Sequence, residues 1–95
     1  MTKREALEQA ATILAERADK LIEKLGVNVS EAPSSDQLSP AFRCAADAYE
    51  RLTVARNATA GQPQWERSDG EYLMEKLWET RNQLRELDQR GAEPR

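Results

Sequence analysis

The chain of 95 residues contains no histidine, so the commonest general acid or base near neutral pH and the commonest transition-metal ligand are both missing. Centres of the Ser-His-Asp or Cys-His kind cannot be assembled from it, and a single cysteine, Cys44, cannot form an all-thiolate metal site. Gly26, Gly61, Gly70 and Gly91 stand alone, which excludes a phosphate-cradling loop and a dinucleotide fingerprint. Glu71, Glu75 and Glu79 recur at every fourth position of one helical face, the kind of placement that carboxylate ligands have in metal-binding bundles. Di-iron bundles of that type also need Glu-x-x-His motifs, and the helix dipole alone accounts for a solvated acidic face near a helix N-terminus. Cys44 has Arg43 beside it but no base and no resolving thiol, so it reads as a small packing residue. The expectation is a chain with no catalytic residue, no metal and no cofactor, and hence not an enzyme.

Side chains suited to recognition are more telling. Trp65, in a turn-rich connection, and Trp78, beside a leucine seam, fit no interior stripe. Trp65 has a structural use as a staple for the start of a helix, and Trp78 as a cover for a seam edge. If exposed, either becomes an interface anchor, since Trp, Tyr and Arg dominate binding hot spots. Arg81 follows Trp78 by three residues and Arg85 follows Arg81 by four, so the three share a flank. An indole beside two guanidinium groups offers apolar area, stacking and forked donors in one patch. Trp65, Trp78, Arg81 and Arg85 are therefore the candidate partner-binding residues; a merely solvated helix flank is the competing reading.

Three helices must position them. Thr2 and Glu5 have capping-box spacing and Gly26 follows Leu25, which predicts a first helix over about 3–25. Within it Leu7, Ala11, Leu14, Ala18, Leu21 and Leu25 alternate steps of four and three, a heptad-like seam, with Ile13 and Ile22 lying off it and widening the apolar face. Residues 26–38 carry turn formers and no helical period, and read as a loop that either crosses over between helices or forms a binding surface. Val27, Val29 and Leu38 would pin it to the body. Ser39-Pro40 starts a second helix of about 40–60, with Phe42, Ala45, Tyr49 and Leu52 as its stripe and Ala41, Ala48 and Ala55 as a smooth flank. Residues 61–68 connect it to a third helix of about 69–90, which opens on a second capping box, Ser68 with Glu71. Leu73, Leu77, Leu84 and Leu87, with Thr80 between, form its seam, and 91–95 reads as a frayed tail.

The predicted fold is all-α, a single domain over 1–95 with an antiparallel three-helix arrangement and coiled-coil-like seams. A chain this short buries only about 60–65% of its unfolded surface, and an alanine-rich core adds little area per residue. Assembly as a homodimer or higher helical homo-oligomer, built on the first and third helices, is the natural remedy.

The runs Met1-Thr2-Lys3, Glu23-Lys24-Leu25 and Ala46-Asp47-Ala48-Tyr49 resemble, over the first two helices only, the Rop type of small plasmid RNA-binding helical hairpin. That resemblance implies no more than a helical pair able to dimerise.

Fourteen basic and seventeen acidic residues are interspersed and leave a net charge of −3, so nucleic acid is not the expected partner. There is no stretch of roughly 20 apolar residues to cross a membrane, the N-terminus lacks a signal-peptide pattern, and one cysteine suits a reducing compartment; the expected location is the cytoplasm. A non-enzymatic accessory module, such as an adaptor, regulator or small inhibitor, that presents a helical surface to a larger protein is the expected function. The alternative is a helical oligomer that binds or sequesters an anionic small molecule, such as a nucleotide, gripped by Arg81, Arg85 or Arg51.

Overall fold

The computed structural model describes residues 2–29 and 39–91, the last two by backbone only. Helix α1 spans Lys3–Leu25, α2 Pro40–Ala58, the single turn α3 Pro63–Glu66, and α4 Gly70–Gly91. Their limits follow local chemistry. The Thr2 hydroxyl oxygen accepts the Glu5 amide at 3.1 Å and satisfies one of the free donors of α1. At the other end Gly26 takes a left-handed φ of 71°, and the amides of Gly26 and Val27 close back on the carbonyls of Glu23 and Ile22. Ser39 caps α2 by accepting the Phe42 amide at 3.3 Å, and Pro40 fills the first position. Thr59 ends that helix, donating both its amide and its hydroxyl to the Ala55 carbonyl, and Gly61, with φ of 80°, turns the chain into α3.

Cross-helix contacts set the directions. Cys44 of α2 lies against the Ala11 carbonyl of α1, and Arg51 reaches Asp19 at 2.9 Å, so numbering rises together along α1 and α2. These two helices are parallel. Helix α4 runs against both: Asp88 near its end meets Arg4, Asp69 before its start meets Arg17, and Glu71 meets Arg56. The expected antiparallel order is thus corrected for the first pair and holds for α4. The connection over residues 26–39 could span roughly 46 Å if extended, more than the about 34 Å length of a 23-residue α1. A short hairpin loop would have forced the opposite direction. Val27 and Val29 do pack against the core, whereas Leu38 and the 92–95 part of the expected tail lie outside the described residues.

The three long helices enclose one core, in a body of 51 × 26 × 17 Å. On α1 the buried stripe is Ala11, Ala15, Ala18 and Ile22. It keeps Ala11 and Ala18 of the expected seam but not its leucines: Leu7, Leu14, Leu21 and Leu25 pack only partly buried against its edges, and Ile13 is 56% exposed. The reason is that α1 has two neighbours. The centre of its inward face points between α2 and α4, where only small side chains allow close approach, and the leucines reach around the sides. On α2, Ala45, Ala48 and Ala55 are fully buried alongside Leu52, and Tyr49 is displaced to the edge. Helix α4 supplies the bulk, since Leu73, Leu77 and Leu84 join Leu52 as the largest fully buried side chains. Its leucine seam is occupied by α1 and α2 of the same chain. Among the described residues no helix is long and apolar enough to cross a membrane.

Asp88 joins three elements at one end of the bundle. Its carboxylate accepts from Arg4 of α1 at 2.9 Å and from the Ser39 amide at the start of α2 at 3.3 Å. Burial pushes its pKa up, but hydrogen bonds from Ser39 and Arg4 and the Arg4 charge outweigh that and hold it below the ordinary carboxylate value. The folded-state pKa therefore lies below that of the unfolded chain. Asp88 contributes stability that is fully present above the unfolded value of about 3.9, and that contribution is lost as pH falls through the lower folded value. Asp88→Asn should cost about 1–2 kcal/mol at pH 7 and flatten the acid limb of stability below about pH 4. Circular dichroism melts across pH check both; a variant with the wild-type acid limb would refute this role.

Candidate functional site

The exposed flank of α4 that faces α2 carries the most concentrated aromatic surface. Trp78 retains 46% of its exposure and Tyr72 50%, large values for side chains of this size. Trp78 is nevertheless held. Its ring lies 5.2 Å from that of Tyr49 on α2, tilted at 45°, a favourable aromatic pairing. The Arg81 guanidinium sits 4.8 Å from the Trp78 ring centre and 5.0 Å from that of Phe42. Arg81 also donates to the Asn82 side-chain oxygen at 3.1 Å. Arg85 stands exposed one turn further along.

Beside Trp78 runs a shallow groove of about 530 Å³ between α2 and α4, with Tyr49, Met74 and Tyr72 on its apolar walls and Arg56, Glu71 and Glu75 around them. Lys76 lies 5.7 Å from the Tyr72 ring centre and 3.5 Å from Glu79. The acidic trio Glu71, Glu75 and Glu79 is exposed, and among the described residues no group of three or more His, Cys, Asp or Glu is placed to hold a metal ion. Chemically the surface can do two things: bury apolar groups against fixed rings, and offer guanidinium donors to a carboxylate at the margin.

The candidates read from sequence divide here. Trp78 and Arg81 are brought together, with Arg85 on the same flank. Trp65 is not part of this surface. It is only 7% exposed, lies over Gly70, and donates its indole N–H to Glu71 at 3.1 Å, so it clamps α3 onto the start of α4 and presents nothing to a partner. That use of Glu71, together with its 3.8 Å pairing with Arg56, replaces the expected capping box. Ser68 instead accepts the Gly70 amide and donates to the Trp65 carbonyl. Arg51 directs two nitrogens at one Asp19 oxygen, 3.2 and 2.9 Å away, and is thereby tied to α1. Cys44 is partly buried, and burial pushes its thiol up despite the lowering effect of Arg51, as befits a packing residue.

Sequence reasoning missed the parts played by Tyr49 and Tyr72. Periodicity assigns Tyr49 to the interior and passes over Tyr72, although a phenol needs its hydroxyl hydrated or paired and so favours a groove edge. That polar tip is the signal that distinguishes Tyr49 from Leu52 on the same stripe.

Gly70 provides the test of the Trp65 clamp. A Cβ added there would come within 3.0 Å of the indole ring, so Gly70→Ala should destabilise the protein by about 1–2 kcal/mol through overpacking, although alanine is the better helix former. Urea unfolding followed by tryptophan emission checks this, with a red shift of the native spectrum expected as Trp65 is displaced.

Comparison with known protein families, with curated protein sequences and with solved structures returns no match to this chain.

Proposed function

We propose that the protein is a non-enzymatic accessory module that presents the α2–α4 flank to a larger protein. The observation that carries this reading is Trp78, half exposed yet in contact with the Tyr49 ring and the Arg81 guanidinium. A large apolar side chain left in water costs free energy in the isolated chain, whereas one already ordered loses little entropy when it is covered. Such rigid aromatic anchors with an arginine neighbour are what binding hot spots are made of.

The partner surface that fits is a helix with apolar residues for Trp78 and the adjoining groove and a carboxylate for Arg81 and Arg85. Helical partners suit the groove because it runs between two helices, with Tyr49 and Arg56 on one and Tyr72, Met74 and Trp78 on the other. The arginines at its margin would set register and speed encounter, while the rings would supply most of the affinity. An adaptor, a regulator and an inhibitor all use this mode of contact, and the choice among them belongs to the partner's identity.

Affinity capture from the source cell, followed by titration of the captured protein against purified variants, tests the reading. Arg81→Ala combined with Arg85→Ala should weaken binding by about 1–3 kcal/mol, and Trp78→Ala by about 2 kcal/mol or more. Circular dichroism and light scattering of the same variants should match wild type. Unchanged affinity in both would assign recognition to another face.

A further inference from the structure

A second groove flanks the other side of α4, between the C-terminal half of α1 and the turn that joins α3 to α4. It holds about 510 Å³, within the roughly 300–1,000 Å³ of small-molecule sites. Its floor is apolar, formed by the half-buried Leu21 and Leu25 and by Leu73, which is 2% exposed. Its rim is basic, with Arg17, Lys20 and Lys24 on α1 and Arg67 after α3. Asp69 is the one carboxylate among its lining residues and is paired with Arg17 at 3.4 Å. Lys20, Lys24 and Arg67 make no ion pair among the described residues. Four cations against one carboxylate leave three net positive charges around one groove of a chain whose net charge is −3.

That concentration departs from the interspersed charges elsewhere. Asp19, in the same stretch of α1, is turned to Arg51 on α2, so it does not neutralise the groove. Lys20 and Lys24 stand one helical turn apart on α1, so both can face one anion in the groove. The apolar floor excludes a simple inorganic anion as the best-fitting occupant, and the basic rim excludes a neutral hydrocarbon.

We propose that this groove binds a small amphiphilic carboxylate, its alkyl body on Leu21, Leu25 and Leu73 and its head group among Lys20, Lys24 and Arg67. The site shares no residue with the α2–α4 flank, so it stands or falls independently of the protein-binding reading.

Decanoate is a suitable probe, titrated into the intact protein by calorimetry and followed by amide shifts in NMR spectra. Saturable binding with a micromolar Kd is expected, with the largest shifts at Leu21, Leu25 and Leu73. Lys24→Gln combined with Arg67→Gln should weaken it roughly tenfold or more, with an unchanged melting curve in the absence of decanoate. Lys3→Gln, which removes a charge at the far end of α1, should bind decanoate as wild type does. Equal affinity for decan-1-ol would reduce the groove to an apolar surface, and equal affinity for acetate would reduce it to a charge cluster; either overturns the proposal. So would an unaffected double variant, shifts confined to other residues, or co-sedimentation with phosphatidylserine vesicles in a protein that ignores free decanoate.

Discussion

Parallel packing of α1 and α2 imposes an electrostatic condition on the whole molecule. Two helix N-termini, each with a partial positive charge, lie at one end of the bundle, and two C-termini lie at the other. An antiparallel third helix answers both ends at once. Helix α4 brings its own C-terminal half to the paired N-termini, where Asp88 meets Arg4 and the amide of the Ser39 cap. Its N-terminal turn, with Asp69 and Glu71, comes to the opposite end beside Arg17 and Arg56. Direction, charge and leucine supply therefore coincide in one element.

From that condition the surface follows. Once Leu73, Leu77 and Leu84 point between α1 and α2, the remaining arcs of α4 border a groove on each side. One arc places Trp78 against Tyr49, and on the other side Leu73, at the edge of the core, also reaches beneath the basic row of α1. The two grooves differ in character because α1 and α2 differ: α2 offers aromatic edges, and the last turns of α1 offer lysines over leucines. Arg81 mediates between core and surface, its guanidinium touching the buried Phe42 and the exposed Trp78, so Trp78 is supported from within rather than hanging free.

The limits of α1 and the start of α2 were legible in the chain because they are set by contacts a few residues apart, whereas the single turn α3 lies within residues 61–68, read as a connection. Thr2, Gly26, Ser39 and Pro40 each act on their own turn, and no tertiary information is needed to read them. What was not legible depends on neighbours. Heptad spacing marks an apolar arc on α1 but not its midpoint: Ala11 and Ala18 of the seam lie deepest, while Ala15 and Ile22 are buried beside them and Leu14 and Leu21 only partly so. Helix direction is encoded in a connection whose length permits both choices and is decided by pairs such as Arg51 with Asp19, far apart in sequence. Trp78 and Arg81 were recognisable as a pair from i, i+3 spacing alone. Tyr49 was not, since its contribution requires knowing that α2 and α4 lie side by side.

The parallel arrangement also governs how the chain reaches its native state. In an ordinary helical hairpin each helix finds its neighbour across a short loop, and most contacts close early. Here the contact between Arg4 and Asp88 spans 84 positions, and three of the four largest fully buried side chains, Leu73, Leu77 and Leu84, arrive only with α4. Much of the core therefore closes only when α4 docks. Such a dependence on distant contacts raises contact order and slows folding relative to helical proteins of similar size, and during synthesis it leaves the α1 and α2 faces uncovered until the last helix has emerged.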